Sequence, residues 1–278
     1  MRSAADGDHS EPRGDEGRGA EGHDTEGGAP HAIFFAPPPW PSRGGEIALD
    51  ESESQHASRA IRVRPGDRVR VVDGEGRAGS GEVTSIARRG VRVRLLEARD
   101  EETEEACAWE LALPWLRSPA RIDWAIEKAT ELGCRALHIY SAERCVTAGA
   151  LPSETRLERW RAVARAAMKQ SGRSYCPRVA HRGSLTALLS GWDERPRLLI
   201  GDARGGDFAR LDPFRADERL LLLVGPEGGW TSEERATLAR AGVERVRLGA
   251  FRLRSESAAI ALAALVAARL AAMDARTG

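Results

Sequence analysis

What the 278-residue chain lacks narrows its class first. No uninterrupted apolar run approaches the roughly 20 residues that a membrane-crossing helix needs. The N-terminus shows no apolar core of a signal peptide. The four cysteines, Cys107, Cys134, Cys145 and Cys176, form no C-x-x-C pair and no metal-ligand spacing. They are expected as reduced, mostly buried thiols in a cytoplasmic protein that holds no metal. Lysine is almost missing: Lys128 and Lys169 are the only two, and arginine supplies the remaining positive charge. Guanidinium groups suit bidentate phosphate contacts and stacking on bases.

The formal net charge of zero conceals an asymmetry. Residues 1–31 carry eight acidic side chains and three arginines, leaving that stretch near −5 and the remainder near +5. A mildly basic body permits nucleic-acid binding without demanding it. The stretch itself is Gly-rich, charged and nearly free of large apolar residues, so it is expected as a disordered acidic tail.

Two rhythms follow. Over residues 32–103, "IRVRPGDRVRVVDGEG" and "SGEVTSIARRGVRVRLLEA" alternate apolar and polar residues and turn at Asp73-Gly74 and Arg89-Gly90. Short strands with Gly-containing turns predict a small β-barrel. "RDEETEEA" then reads as a linker. Over residues 107–278, strand and helix patterns alternate. "ARIDWAIEKATELG" sets Ile122, Ala125, Ile126, Ala129 and Leu132 on one helix face and stops at Gly133. A second helix turns Leu157, Trp160, Val163 and Ala167 inward. "PRLLIGDA", "RLLLLVGP" and "RVRLGA" are short continuous apolar runs, as a sheet covered on both faces requires. The expected class is α/β, a mostly parallel sheet preceded by a small barrel.

Three loops could carry chemistry. In "LLLLVGPEGGWTSEE" a buried strand runs into Gly225-Pro226-Glu227-Gly228-Gly229, then into a helix that Thr231 and Glu234 can cap as a box. Such a loop brings bare backbone against a ligand; an ordinary tight turn would look the same. It is not a P-loop, because no Gly-Lys-Ser/Thr follows. In "LGAFRLRSESAA", Ser255 can cap a helix and Glu256 lies near its positive end. Two parallel strands ending in such loops meet at the C-terminal edge of their sheet, where ligands bind. "SAERC" adds Glu143 and Arg144 to that edge. In "MKQSGRSYCPR", Arg173 and Arg178 follow a helix end. By contrast "GEGRAG", Gly74 to Gly79, matches G-x-G-x-x-G but precedes strand alternation, so it is expected as a hairpin turn.

The stretches "RAIRVRPGDRVRVVDG", "IEKATELG", "SAERC", "AAMKQSGR", "LLIGDA", "LLVGPEGGWTSEE" and "LGAFRLRSESAAIALAAL", in this order, resemble the RsmE family. These are bacterial SPOUT enzymes that methylate N3 of a uridine in small-subunit (16S) ribosomal RNA. The resemblance covers about Phe34 to Ala272. It implies a PUA-like RNA-binding barrel, a trefoil-knot domain, S-adenosylmethionine as methyl donor, a homodimer, and ribosomal RNA or the assembled small subunit as partner. Carried over by position, the cofactor site is Leu199, Ile200, Gly201, Gly225, Pro226, Glu227, Gly228, Gly229, Leu248, Gly249 and Leu253. Arg254 is the expected catalytic cation, with Glu256 orienting it. Arg59, Arg62, Arg144, Gln170 and Arg173 are the expected RNA contacts. Two places depart from the family pattern: Ala250-Phe251 follows Leu248-Gly249, and Ser118-Pro119 precedes the "IEKATELG" helix. A SPOUT methyltransferase of another RNA, or a catalytically weak RNA-binding scaffold, are the competing expectations.

Removing residues 1–30 is expected to change neither melting temperature nor activity, checked by thermal unfolding beside the full chain. A large drop in melting temperature would show that the tail packs.

Overall fold

A computed structural model describes residues 32–87, 90–102, 109–145, 150–215 and 217–277. The acidic tail and Cys107 lie outside the described residues. Alternating apolar residues build a first sheet from β1 (Ile33–Phe35), β2 (Glu46–Ala48), β3 (Arg68–Val72), β4 (Arg77–Ala87) and β5 (Gly90–Asp100). A short helix α1 (Glu51–Gln55) and a π turn (His56–Ile61) lie between β2 and β3. The strand order is β1-β3-β4-β5-β2. β1 runs parallel to β3 and the other pairs are antiparallel. Along β5, Val91, Val93 and Leu95 point inward to join Phe34, Val69, Val71 and Val83 in one core. The Gly74–Gly79 stretch is the expected hairpin. Asp73 Oδ1 accepts from the amides of Glu75 (2.8 Å) and Arg77 (2.9 Å), closing the turn between β3 and β4.

The second sheet is formed by β6 (Trp109–Pro114), β7 (Ala136–Ser141), β8 (Arg178–Ser184), β9 (Arg197–Asp207), β10 (Leu220–Leu223) and β11 (Glu244–Arg247). Its order is β11-β9-β10-β6-β7-β8 and every pair is parallel. The helices between and after them are α2 (Pro119–Glu131), α3 (Glu154–Gln170), α4 (Leu185–Ser190), α5 (Ser232–Arg240) and α6 (Ser255–Thr277). All residues of β6 and β10 are buried. Successive side chains feed opposite faces: Leu111, Leu113, Leu220 and Leu222 join one core, Ala112, Leu221 and Leu223 the other. Continuous apolar runs are the consequence of this two-sided burial.

Within α2, Ile122, Ala125, Ile126 and Ala129 are fully buried, as their spacing predicts. In α3, Trp160 and Ala167 point inward as expected, joined by Ala164 and Met168, while Leu157 and Val163 are only partly covered. By length and composition α6 reaches the range of a membrane-crossing helix over Ser255–Met273, with mean hydropathy 1.6. Its Ala259, Leu262, Ala263 and Val266 are nevertheless buried in the sheet core. The three described cysteines are free thiols. Burial pushes the Cys134 and Cys145 thiols up and raises Cys176 to about 11.

The first sheet docks at the start of β8. The Glu102 carboxylate accepts from the amides of Ser174 (3.1 Å) and Tyr175 (2.6 Å) and pairs with Arg173 (3.4 Å). Ser174 Oγ donates to Gly76 O (3.0 Å), and Lys169 pairs with Glu53. The stretch expected as a linker therefore supplies a docking carboxylate.

At the same N-terminal edge of the parallel sheet stands a polar cluster built on the buried Glu110 and His138. His138 Nε2 meets Glu110 Oε2 at 2.5 Å, Arg219 donates to Glu110 Oε1 at 2.5 Å, and Arg182 Nε donates to His138 Nδ1 at 3.1 Å. Burial alone would raise the Glu110 carboxyl; hydrogen bonds from His138 and Arg219, with the field of both, outweigh it and hold the group below its ordinary value. Removing Glu110 takes the acceptor from both His138 and Arg219, of which only His138 is buried. Glu110→Gln is expected to cost roughly 1–3 kcal/mol at neutral pH, measured by urea unfolding. A depressed carboxyl stabilises fully above its ordinary value near 4.5 and loses that contribution as pH falls through the lower folded value. The Gln variant should lack that part of the acid-side loss.

Candidate functional site

A cleft of about 510 Å³ opens at the C-terminal edge of the parallel sheet, opposite the edge where the first sheet docks. Three segments wall it, and each is shaped by a local rule. The first is an excursion within β9. Arg245 of β11 faces Ile200, but the next residue, Val246, faces Gly206, so residues 201–205 leave the ladder. Gly201 begins that excursion against Leu248: a Cβ there would stand 2.7 Å from Leu248 Cδ1. A side chain at Gly201 would have to displace the Leu248 side chain.

The second wall is the loop after β10. Gly229 N bonds to Pro226 O at 2.8 Å, and Gly229 takes the left-handed φ of 70° that the tight turn needs. Thr231 and Glu234 form the expected capping box, at 3.2 and 2.9 Å. The second Glu234 oxygen accepts from the Glu143 amide at 2.9 Å, which ties the loop after β7 to this wall. Arg144 donates to Gly228 O at 3.3 Å. Tyr140 hydroxyl donates to Val224 O at 2.7 Å, and burial pushes that phenol up.

The third wall is residues 252–255 entering α6. Ser255 was expected as a cap; its hydroxyl instead donates to Gly225 O at 2.6 Å and pins α6 to the second wall. Arg252 reaches Glu227 O at 3.4 Å. Arg254 lines the cleft and is exposed, and among the described residues its guanidinium pairs with no carboxylate.

Most residues expected at a cofactor site converge here. Gly201, Gly225, Pro226, Glu227, Gly229 and Leu253 line the cleft, and so does Arg254, expected as the catalytic cation. Leu199 and Ile200 are buried in opposite cores, leaving only backbone to a ligand. Gly228 packs against Arg144, and Leu248 against Gly201. Gly249 is exposed with open space around it. Glu256 is a correction to the expected pairing. Its Oε1 meets Arg121 Nε at 3.3 Å rather than Arg254, and the same Arg121 binds Glu227 at 2.7 Å. Arg121, Asp202, Trp230 and Arg235 also line the cleft and were not anticipated. A signal for Arg121 existed: a cation in the first turn of α2 opposes the helix dipole and needs a compensating partner.

The expected RNA contacts divide. Arg59 and Arg62 are exposed on the first unit, Gln170 is exposed at the end of α3, and Arg144 is exposed beside the cleft. Arg173 is a correction. It is 8% exposed, donates to Thr130 O (2.8 Å) and Cys134 O (3.2 Å), and pairs with Glu102. Docking of the first unit consumes its guanidinium.

Residues 103–267 match the family model of an RNA methyltransferase domain, and residues 49–96 match that of an RNA methyltransferase PUA domain. The chain is similar to "Ribosomal RNA small subunit methyltransferase E" of Mycobacterium bovis, 34% identical across 84% of this chain and 91% of that one. The same-named protein of Bacillus subtilis is 27% identical, covering 76% and 86%. Among solved structures, the Ribosomal RNA small subunit methyltransferase E of Neisseria gonorrhoeae, bound to S-adenosyl methionine, superposes with TM-score 0.74. It is 27% identical and covers 84% of this chain and 95% of that one.

Gly229→Ala is expected to lower stability by about 1 kcal/mol from backbone conformation alone. The nearest atom to the new Cβ is Arg235 Nη2 at 3.9 Å, so no clash adds to it. Urea unfolding of the variant beside the parent checks the figure.

Proposed function

The chain belongs to the RsmE family of SPOUT RNA methyltransferases, and on that premise we propose that it methylates N3 of a uridine in small-subunit (16S) ribosomal RNA, with S-adenosylmethionine as the methyl donor. The observation that carries the reading is the three-walled cleft at the C-terminal sheet edge. The fit to the cofactor rests on the cleft itself. Gly201 and Gly225 offer backbone without side chains, and Asp202 and Glu227 put carboxylates beside a ligand that carries a sulfonium cation. When bound, the cofactor supplies an electrophilic methyl group on sulfur.

The protein's own residues would do the rest. Uridine N3 carries an imide proton on the Watson–Crick edge, so the base must be unpaired and splayed from its stack. Loss of that proton leaves negative charge spread over the flanking oxygens. A fixed cation at those oxygens stabilises the charge as it develops. Arg254 suits that role, being exposed in the cleft and uncommitted. Glu256 acts on a different arginine and serves the site from the side.

The RNA contacts would span two edges. The PUA-like unit, with Arg59 and Arg62, docks at the N-terminal edge of the sheet, and Arg144 stands at the C-terminal edge. Six residues of strand separate those edges by roughly 20 Å. A homodimer is supported by apolar side chains left uncovered in one copy. Trp124 on α2 is 41% exposed, Leu265 on α6 38%, and Leu253 in the preceding loop 40%. The protein is assigned to the cytoplasm, where its proposed substrate is made.

The test is methyl transfer to small ribosomal subunits from cells lacking this protein, followed by mass spectrometry of the nucleosides. Appearance of 3-methyluridine supports the reading. Cofactor binding without methylation points to another RNA, and neither points to a scaffold. Arg254→Ala is expected to lower turnover on the order of 10²-fold while fold and cofactor affinity persist. Unchanged turnover removes Arg254 from the mechanism.

A further inference from the structure

Arg121 occupies a place that local rules disfavour. It is the third residue of α2, whose first turn holds no acidic residue to answer the helix dipole. Its guanidinium reaches two carboxylates from two other segments. Nη1 meets Glu227 Oε1 at 2.7 Å in the loop after β10, and Nε meets Glu256 Oε1 at 3.3 Å in the first turn of α6. One side chain thus joins α2 to two walls of the cleft, and it lines the cleft itself.

The two carboxylates are not equivalent. The Glu227 side chain is 41% exposed, so water can solvate it without Arg121. The Glu256 side chain is 8% exposed, and its Oε2 is buried with no hydrogen-bond partner among the described residues. Arg121 is the cation that offsets this buried charge, and its loss would leave Glu256 to recruit water or to shift α6. Either response would disturb the wall that Ser255 pins to Gly225.

We propose that Arg121 is a positioning residue for the cofactor cleft: it holds the loop after β10 and the start of α6 at the separation that admits the ligand. The inference rests on the reading that the cleft binds S-adenosylmethionine, and it goes beyond that reading in naming what keeps the cleft open and shaped. Arg121 is distinct in role from Arg254. It is committed to two protein carboxylates and acts through them. A preformed cleft spares the ligand the cost of ordering its own walls, so the effect falls on affinity.

The experiment is calorimetric titration of the full-length protein with S-adenosylmethionine alone, without RNA, beside thermal unfolding without ligand. Arg121→Gln is expected to weaken cofactor binding on the order of tenfold or more. KM for the cofactor should rise more than kcat falls. Arg121→Lys should recover only part of the loss, since an ammonium cannot span both carboxylates as the guanidinium fork does. Arg121→Gln combined with Glu256→Gln should bind better than Arg121→Gln alone, because the stranded charge is gone. Cofactor affinity in Arg121→Gln within twofold of the parent overturns the proposal, as does strict additivity in the double variant. If Arg121→Gln does not fold, Arg121→Lys carries the test, since it keeps a cation beside Glu256 while losing the fork that spans both carboxylates. Weaker binding at an unchanged melting temperature supports the proposal, and unchanged binding overturns it. A parent protein that binds no S-adenosylmethionine overturns the cofactor reading and this inference together, a result distinct from equal affinities in parent and variant.

Discussion

Coverage of the parallel sheet on both faces is the constraint from which the rest of this structure follows. With every residue of β6 and β10 buried, neither face has room for a ligand, and polar chemistry is driven to the two edges. The edges are then put to different uses. At the N-terminal edge, Glu110 accepts from His138 and Arg219, Arg182 donates to His138, and the PUA-like unit docks through Glu102 onto the segment before β8. At the C-terminal edge, glycines replace side chains, and the strand ends are held together through backbone carbonyls: Tyr140 to Val224, Arg144 to Gly228, Ser255 to Gly225. One edge closes the molecule and the other leaves a cleft.

Legibility in the sequence followed the range of the interactions concerned. The strand at Leu220–Leu223, the glycine loop after it, the capping box at Thr231 and Glu234, and the hairpin at Gly74 are all set within a few residues, and all were readable. The meeting of the loop at Gly225–Gly229 with the segment entering α6 was readable because parallel strands deliver their loops to a common edge, whereas Gly201 was placed there only by the family resemblance. Partner choice among arginines was not. Arg173 sits in a basic loop after a helix, which fits an RNA contact. Its burial depends on Glu102, 71 residues away, arriving with the docked unit. Glu256 was matched with its near neighbour Arg254, but the helix turns Glu256 toward α2, where Arg121 waits 135 positions earlier. In a chain with 42 basic residues, nearly all arginine, composition cannot say which guanidinium meets which carboxylate.

The excursion of β9 shows a different limit. "PRLLIGDA" reads as one short apolar strand, and the break in the pairing of β9 with β11 leaves no mark on hydrophobic periodicity. What betrays it is steric. Gly205 lies so close to the Val246 backbone that a Cβ would come within 2.5 Å of it, whereas at Gly201 a Cβ would meet the Leu248 side chain at 2.7 Å. At Gly205 two backbones meet, and the excursion that contains it carries Asp202 and Ala203 out of the ladder and onto the cleft.

The arginines of the cleft divide by commitment, and that division has a physical logic. Arg121 is bound to two carboxylates, Arg252 reaches a carbonyl, and Arg254 pairs with no carboxylate among the described residues. A guanidinium already neutralised by protein carboxylates adds little field for an arriving anion, but it fixes the geometry of whatever holds it. An uncommitted guanidinium gives its full charge to the substrate, and that charge is worth more as water leaves the cleft. Catalysis gains only from interactions that strengthen as charge develops. The committed arginine therefore belongs to binding and shape, and the uncommitted one to the reaction. Exchanging their roles would fail on both counts: Arg254 is too exposed to hold two walls together, and Arg121 cannot leave Glu256 without stranding a buried charge.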